Sequence, residues 1–203
     1  DYQKIVIDSR KVITANHSLF VAIRGENHNG HIYVHELGKR GVTGFIVDKA
    51  FDISTLPTGC NAVIVDNTLD ALQLIAAYHR STMDYPVLSI TGSNGKTITK
   101  EWITQLAGED LAIIRSPKSF NSQVGVPLSL LLLEPQAQLG IIEAGISMPG
   151  EMAKLQSMIK PSMGLITNIG LAHQENFKSL QHKLDEKLKL FGQCGTIFFC
   201  ADQ

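Results

Sequence analysis

From residue 87 onward the chain repeats one unit: a short aliphatic run, a polar or glycine-bearing turn, then a stretch with helical spacing. The runs at 87–90, 111–114, 140–143, 164–168 and 196–199 are too short for helices and read as strands. The intervening stretches 96–107, 124–133, 151–159 and 179–191 read as helices, with Pro127 tolerated in a first turn. Strands separated by helices pair in parallel, and a parallel sheet needs helices over both faces. This half is therefore expected to be a mainly parallel α/β domain.

The first 84 residues form a smaller α/β unit. Segments 4–7, 19–23, 44–47 and 62–65 read as strands, and 31–40 as a short helix that Gly41 ends. A longer helix begins after Asn67 or Thr68, either of which can cap it. Met83-Asp84-Tyr85-Pro86 reads as a joint, because proline restricts the residue before it and ends the preceding helix. With 203 residues, two domains fit, 1–84 and 85–203. The second stops just after its last strand, where such a domain ordinarily continues into a helix. The sequence therefore reads as a piece of a longer protein.

Composition narrows the partners. At 44% hydrophobic the chain can bury a sizeable core, and a formal net charge of -1 creates no field to gather nucleic acid or an anionic membrane. No apolar run is long enough to insert into a membrane, and Lys4, Asp8, Arg10 and Lys11 interrupt any secretory leader. Cys60, Cys194 and Cys200 lack metal-site spacing and read as reduced thiols of a cytoplasmic protein; a Cys194–Cys200 disulfide stays open.

The chemistry gathers at the turns. Gly92-Ser93-Asn94-Gly95-Lys96-Thr97 ends like a phosphate loop, yet the glycine expected five residues before Gly95 is Ile90. Lying between a strand and a helix, the loop can still turn backbone N–H groups toward an anion, aided by the helix N-terminus. Lys96 then neutralises terminal phosphate charge, and the Thr97 hydroxyl suits Mg²⁺. The plainer alternative is a strand–helix turn with a surface lysine. Glu143 ends a strand at the edge where ligands collect in such sheets, opposite Thr97, and is a second candidate for the metal. Asn168 and His173 follow the next strand toward the same edge; a lone histidine is more often structural than a ligand. Asn121 and Ser122 either meet substrate or cap a helix. Lys183, Lys187 and Lys189 read, from pattern alone, as a solvated helix face.

These motifs, in this order, resemble the Mur ligases and their relative folylpolyglutamate synthase. The resemblance rests on residues 91–97, on Glu143 to Glu151, and on Thr167 to His173. In the first block it rests on Asp8-Ser9-Arg10, on residues 19–25 and on Asn29-Gly30-His31. The run 120–127 is similar to the type that adds D-Ala-D-Ala to UDP-N-acetylmuramoyl-tripeptide, and the first block argues against the folate enzyme. The resemblance implies an ATP-dependent, Mg²⁺-using peptide ligase working through an acyl phosphate. It further implies a small N-terminal α/β domain for the UDP substrate, a P-loop ATP-binding domain, and a C-terminal domain absent from this sequence. On that reading Gly92, Ser93, Asn94, Gly95, Lys96, Thr97 and Asn168 serve ATP, and Thr97, Glu143, His173 and a carbamylated Lys187 serve metal. Ser9, Arg10, Asn27, His31 and Asn121 serve the substrate. The departures are Asn29 where the family often has aspartate, Ser122 where it often has asparagine, and Gln174 for a common apolar residue. The rivals are another Mur-type or a folylpolyglutamate-type ligase, and a non-catalytic module that binds a UDP-sugar or nucleotide.

Overall fold

The computed structural model describes residues 2–25, 28–170 and 174–202, in two compact units, Asp1–Leu72 and Gln73–Gln203. Asn27 and His173 lie outside the described residues.

The first unit runs β1 (Lys4–Val6), β2 (Ser18–Val21), a small antiparallel pair β3 (Arg24–Gly25) and β4 (His28–Asn29), α1 (Val34–Lys39), β5 (Gly44–Asp48) and β6 (Asn61–Val65). Four strands pair in parallel in the order β1-β2-β5-β6. Phe20 and Phe45, from adjacent strands, meet edge to face with ring centroids 6.3 Å apart and share a buried cluster with Val34 and Leu37 of α1. Gly41, at φ +95°, follows the end of α1 in a conformation that a side chain would strain.

Helix α2 (Thr68–Ser81) starts on Asn67, whose Oδ1 accepts from the N–H groups of Leu69 at 2.8 Å and Asp70 at 3.1 Å. Thr68 instead donates its hydroxyl to the Ala22 carbonyl at 2.9 Å. The two units divide inside this helix rather than at the Met83–Pro86 joint. The cause is packing: Ala76 and Met83 belong to the second unit's core, and Arg80 donates to the Ile159 carbonyl at 3.0 Å.

The second unit alternates as expected: β7 (Val87–Thr91), α3 (Lys96–Ala107), β8 (Ile113–Arg115), α4 (Gly125–Leu130), β9 (Leu139–Glu143), α5 (Glu151–Ile159), β10 (Met163–Ile166), α6 (Leu180–Leu188) and β11 (Thr196–Phe198). All five strands are parallel, in the order β11-β10-β7-β9-β8. The two faces follow the strand period. Val87 and Ile142 join a cluster with Val126, Leu130, Met152 and Leu155 of α4 and α5, whereas Leu88, Ile90 and Ile141 face Ile103 of α3. Each such aliphatic side chain, fully buried, contributes about 1.5–3 kcal/mol.

Some ends differ from expectation. β8 begins at Ile113 rather than 111, α4 stops at Leu130, and the last helix tightens into a 3-10 turn at Lys189–Phe191 that seats Leu190 and Phe191 in the core. All three cysteines are free thiols, so no Cys194–Cys200 bridge forms. Among the described residues no helix is long and apolar enough to cross a membrane.

From β7 the chain moves first to the β8–β9 side and later to the β10–β11 side. Loops therefore diverge at the carboxyl end of β7, and ligands of open α/β sheets bind at such a switch point.

Candidate active site

β7 is buried along its whole length and delivers the chain into the glycine loop. Gly92 takes φ +142°, and a Cβ there would lie 1.9 Å from Thr167 Oγ1 and 3.1 Å from the Asn168 backbone. Gly95, at φ +82°, begins α3 with no side chain capping it, so the first-turn N–H groups are left for another acceptor.

The end of β10 braces this loop. Asn168 accepts from the Ser93 N–H through its carbonyl at 2.9 Å and from the Asn94 N–H through Oδ1 at 3.2 Å. Its side-chain amide returns a bond to the Asn94 carbonyl at 3.2 Å, and Thr167 adds a second to the same carbonyl at 2.5 Å. Gly170 donates its N–H to Ser93 Oγ at 2.9 Å. Asn168 therefore acts on the loop backbone, and two loop amides expected to face an anion are turned to it instead.

Two ammonium groups converge on one carbonyl. Lys96 Nζ donates to the Gly92 oxygen at 2.9 Å, and Lys187 Nζ, from α6, lies 3.3 Å from the same oxygen. Burial lowers the Lys96 ammonium below its usual range, while Glu143 pulls the other way. Lys187 is pushed down to about 8, by burial first and then by Lys96 and Lys183. Lys183 is also buried, donates to the Gly170 carbonyl, and is lowered by its burial. The solvated-face reading of Lys183 and Lys187 is thus corrected: α6 turns both inward, and loop carbonyls receive them. Lys189 remains half exposed beside Glu186.

Glu143, fully buried at the end of β9, forms an ion pair through Oε1 with Lys100 at 2.9 Å. Its Oε2 accepts the Thr97 hydroxyl at 3.1 Å, and Ser119 Oγ lies 3.3 Å from Thr97 Oγ1. Between the loop, Lys187 and the far wall lies a cleft of about 140 Å³. That wall includes Asn121, Gln123, Gly145 and Ser147. Asn121 accepts the Gly145 N–H through its carbonyl at 2.8 Å, and its side chain lies against Gly145. Ser122 Oγ accepts from the Gly125 N–H at 3.1 Å, so of the two residues it is Ser122 that serves the start of α4.

In the first unit, Arg10 is held by both Asp8 oxygens at 2.9 Å and is mostly exposed, and the Ser9 carbonyl receives Arg40 at 3.4 Å. His31 is buried, with Nδ1 2.8 Å from Asn29 Oδ1 and Nε2 accepting from the Asp48 N–H at 3.0 Å. That acceptor role fixes the Nδ1–H tautomer, and burial lowers its ring below the usual histidine range. Both ring nitrogens are engaged within the protein, so His31 shapes the β3–β4 region.

Sequence reasoning gave no role to Lys100. One signal was available: Lys96, Lys100, Ile103 and Ala107 fall on one face of α3, which places a lysine where the helix turns inward.

A parallel sheet with a glycine loop between its central strand and the next helix defines the P-loop class of α/β domains. Residues 90–202 match the Mur ligase middle domain, and the chain belongs to the Mur ligase family. It is 29% identical over 202 residues to the UDP-N-acetylmuramoyl-tripeptide–D-alanyl-D-alanine ligase of Bacillus subtilis (strain 168), covering 98% of this chain and 43% of that protein. The ligase of the same name from Buchnera aphidicola subsp. Acyrthosiphon pisum is 35% identical, covering 93% and 40%. A crystal structure of MurF from Acinetobacter baumannii superposes with a TM-score of 0.88 at 26% identity, over 97% of this chain and 43% of that one. The chain thus spans less than half the length of the relatives it matches.

Proposed function

We propose that this chain is the UDP-precursor- and ATP-binding part of a cytoplasmic peptidoglycan-precursor ligase that adds D-Ala-D-Ala to UDP-N-acetylmuramoyl-tripeptide. One observation carries the reading: Lys96 and Lys187, from different helices, converge on the Gly92 carbonyl in a loop beside the Thr97–Glu143 pair. A buried ammonium and a half-buried one on a single neutral oxygen favour an anion beside them.

In the proposed reaction the precursor carboxylate attacks the γ-phosphate of ATP, giving an acyl phosphate and ADP. The amine of D-Ala-D-Ala then attacks the acyl carbon, phosphate leaves, and the amine proton passes to solvent. Lys96 and the first-turn amides of α3 hold the phosphates. Gly92, Ser93, Asn94 and Gly95 form the floor, and Asn168 braces it. Asn121 faces the substrate side of the cleft.

The donor set fits Mg²⁺. Thr97 Oγ1, Glu143 Oε2 and Ser119 Oγ are all oxygens, and no cluster of three His, Cys, Asp or Glu gathers among the described residues. That suits an ion held by few protein ligands together with water and nucleotide phosphates. When bound, it offsets phosphate charge. His173 remains a candidate second-metal ligand on the resemblance alone. Lys187, with its amine readily neutral, suits carbamylation: the amine nitrogen bonds CO₂, a proton is released, and the cation becomes an anionic oxygen donor. The first unit takes the UDP part, with Ser9, Arg10 and Asn27 as candidates and His31 acting by positioning.

The test is thermal shift and calorimetry on this chain. ATP with Mg²⁺ and UDP-muramoyl tripeptide should each stabilise it, and Lys96→Ala should abolish the ATP effect. Stabilisation by folate and not by the muramoyl peptide, or unchanged ATP affinity in Lys96→Ala, would overturn the reading. Ligation is expected to need the portion of the relatives that has no counterpart here, so robust ligation by this chain alone would contradict that part.

A further inference from the structure

We propose that Lys100 is a positioning residue for the magnesium–nucleotide site, setting the direction of the Glu143 carboxylate and the placement of Ser119. The proposal rests on the nucleotide reading above.

Lys100 is completely buried, one helical turn beyond Lys96. An ammonium has three donors, and burial without partners is prohibitive. Here Nζ meets the Ser116 carbonyl at 2.7 Å, the Lys118 carbonyl at 2.5 Å and Glu143 Oε1 at 2.9 Å. Glu101 Oε1 lies farther off at 3.3 Å, and the other oxygen of that carboxylate, Oε2, accepts from Arg115.

Two consequences follow for Thr97. First, Lys100 occupies Oε1 of Glu143, so the remaining oxygen, Oε2, is the one turned to the Thr97 hydroxyl. The Glu143 N–H also donates to Ser116 Oγ at 3.1 Å, tying the same strand end to the segment that Lys100 grips. Second, Lys118 sits at φ +49°, a left-handed conformation uncommon for a non-glycine residue. Its carbonyl is bonded to Lys100, and the next residue, Ser119, brings its hydroxyl to Thr97. One buried cation therefore fixes both oxygen groups that flank Thr97. A stability residue would need only its own satisfaction; here two of the partners, Glu143 and Lys118, lead directly to the groups that meet the same hydroxyl.

Calorimetry of ATP binding to the whole chain, with and without Mg²⁺, tests this. In the parent protein Mg²⁺ should tighten binding. Lys100→Met should lose that gain by about tenfold or more, as loss of a group supporting a metal ligand does. Mg²⁺-free affinity should stay within about twofold, because Lys96 and the α3 amides are untouched. Glu143→Gln should also lose the Mg²⁺ gain, and in the presence of Mg²⁺ the double variant should be no worse than the worse single one. An unchanged Mg²⁺ gain in Lys100→Met, or additive losses in the double variant, would overturn the proposal alone. A parent chain that binds no ATP would overturn the nucleotide reading and this proposal together. If Lys100→Met fails to fold by circular dichroism, Lys100→Gln, which keeps N–H donors for the two carbonyls, takes its place. Failure of both to fold would assign Lys100 to stability and overturn the positioning role.

Discussion

Replacing Gly92 with alanine probes the contact on which the loop geometry depends. The residue sits at φ +142°, where an L side chain costs about 1–3 kcal/mol. The new methyl would also lie 1.9 Å from Thr167 Oγ1, so Thr167 must rotate away. Rotation forfeits its bonds to the carbonyls of Asn94 at 2.5 Å and Thr91 at 3.3 Å, worth about 1 kcal/mol each. The total is about 4 kcal/mol. Gly150 supplies the control: it has φ +86° with nothing within 4 Å of a built Cβ, so alanine there carries backbone strain alone, about 1–2 kcal/mol. Differential scanning calorimetry should read these as a fall in Tm of about 15 °C for Gly92→Ala against about 5 °C for Gly150→Ala, at about 4 °C per kcal/mol for a domain of this size. Adding Thr167→Ala to Gly92→Ala should cost less than the sum of the two, since the clash is then partly relieved. Equal losses at the two glycines, or full additivity of the pair, would refute the view that β10 presses directly on the loop.

Further outcomes follow from the same geometry. Lys187 is lowered from 10.5 to about 8, so between those values the unfolded chain binds more protons than the folded one and stability rises with pH. The burden is fully present below about pH 8 and is on the order of 3 kcal/mol; Lys187→Met should therefore shrink the difference in urea midpoint between about pH 7 and pH 10 in CO₂-free buffer. Asn168→Ala removes the side chain that holds the Asn94 N–H and carbonyl, and should weaken ATP binding by about tenfold in calorimetry while costing only about 1–2 kcal/mol of stability. Asn67→Ala removes the α2 cap and should lower stability by about 1 kcal/mol in chemical denaturation, with ATP affinity unchanged.

The sheet was legible because strand and helix periods differ and alternate cleanly from Val87 on. The Gly-Lys-Thr run was legible because it falls where β7 meets α3. The division between the units was not. Ala76 and Met83 are apolar in either case, and nothing local says which core receives them. The lysines of α6 were misread for a related reason. A buried ammonium and a solvated one look alike in a charge pattern; what separates them is whether carbonyls such as Gly92 and Gly170 wait at the end of the side chain, and those belong to distant loops. Asn168 was placed at the right sheet edge with a role toward ATP; its contact with the loop backbone was not legible, because it depends on register: β10 pairs with β7 so that Ile166 stands beside Thr91, which brings Asn168 level with Ser93 and Asn94.

That register also accounts for the short loop. A longer phosphate loop has enough residues to curl its own amides around an anion. Here only Ser93 and Asn94 separate the two glycines, and both give their N–H groups to Asn168. On the proposed nucleotide reading, the positive groups left for phosphate are the uncapped start of α3, Lys96 at its first position, and Lys187 reaching in from α6. On that reading the second lysine supplies charge where the loop lacks amides. Bringing it there requires its burial, and burial is the leading cause that lowers its proton affinity. On that reading the short glycine loop and the inward-facing lysines of α6 are two sides of one arrangement: a shorter loop would move the work of anion binding from backbone to side chains, and give it to a residue whose charge is open to change.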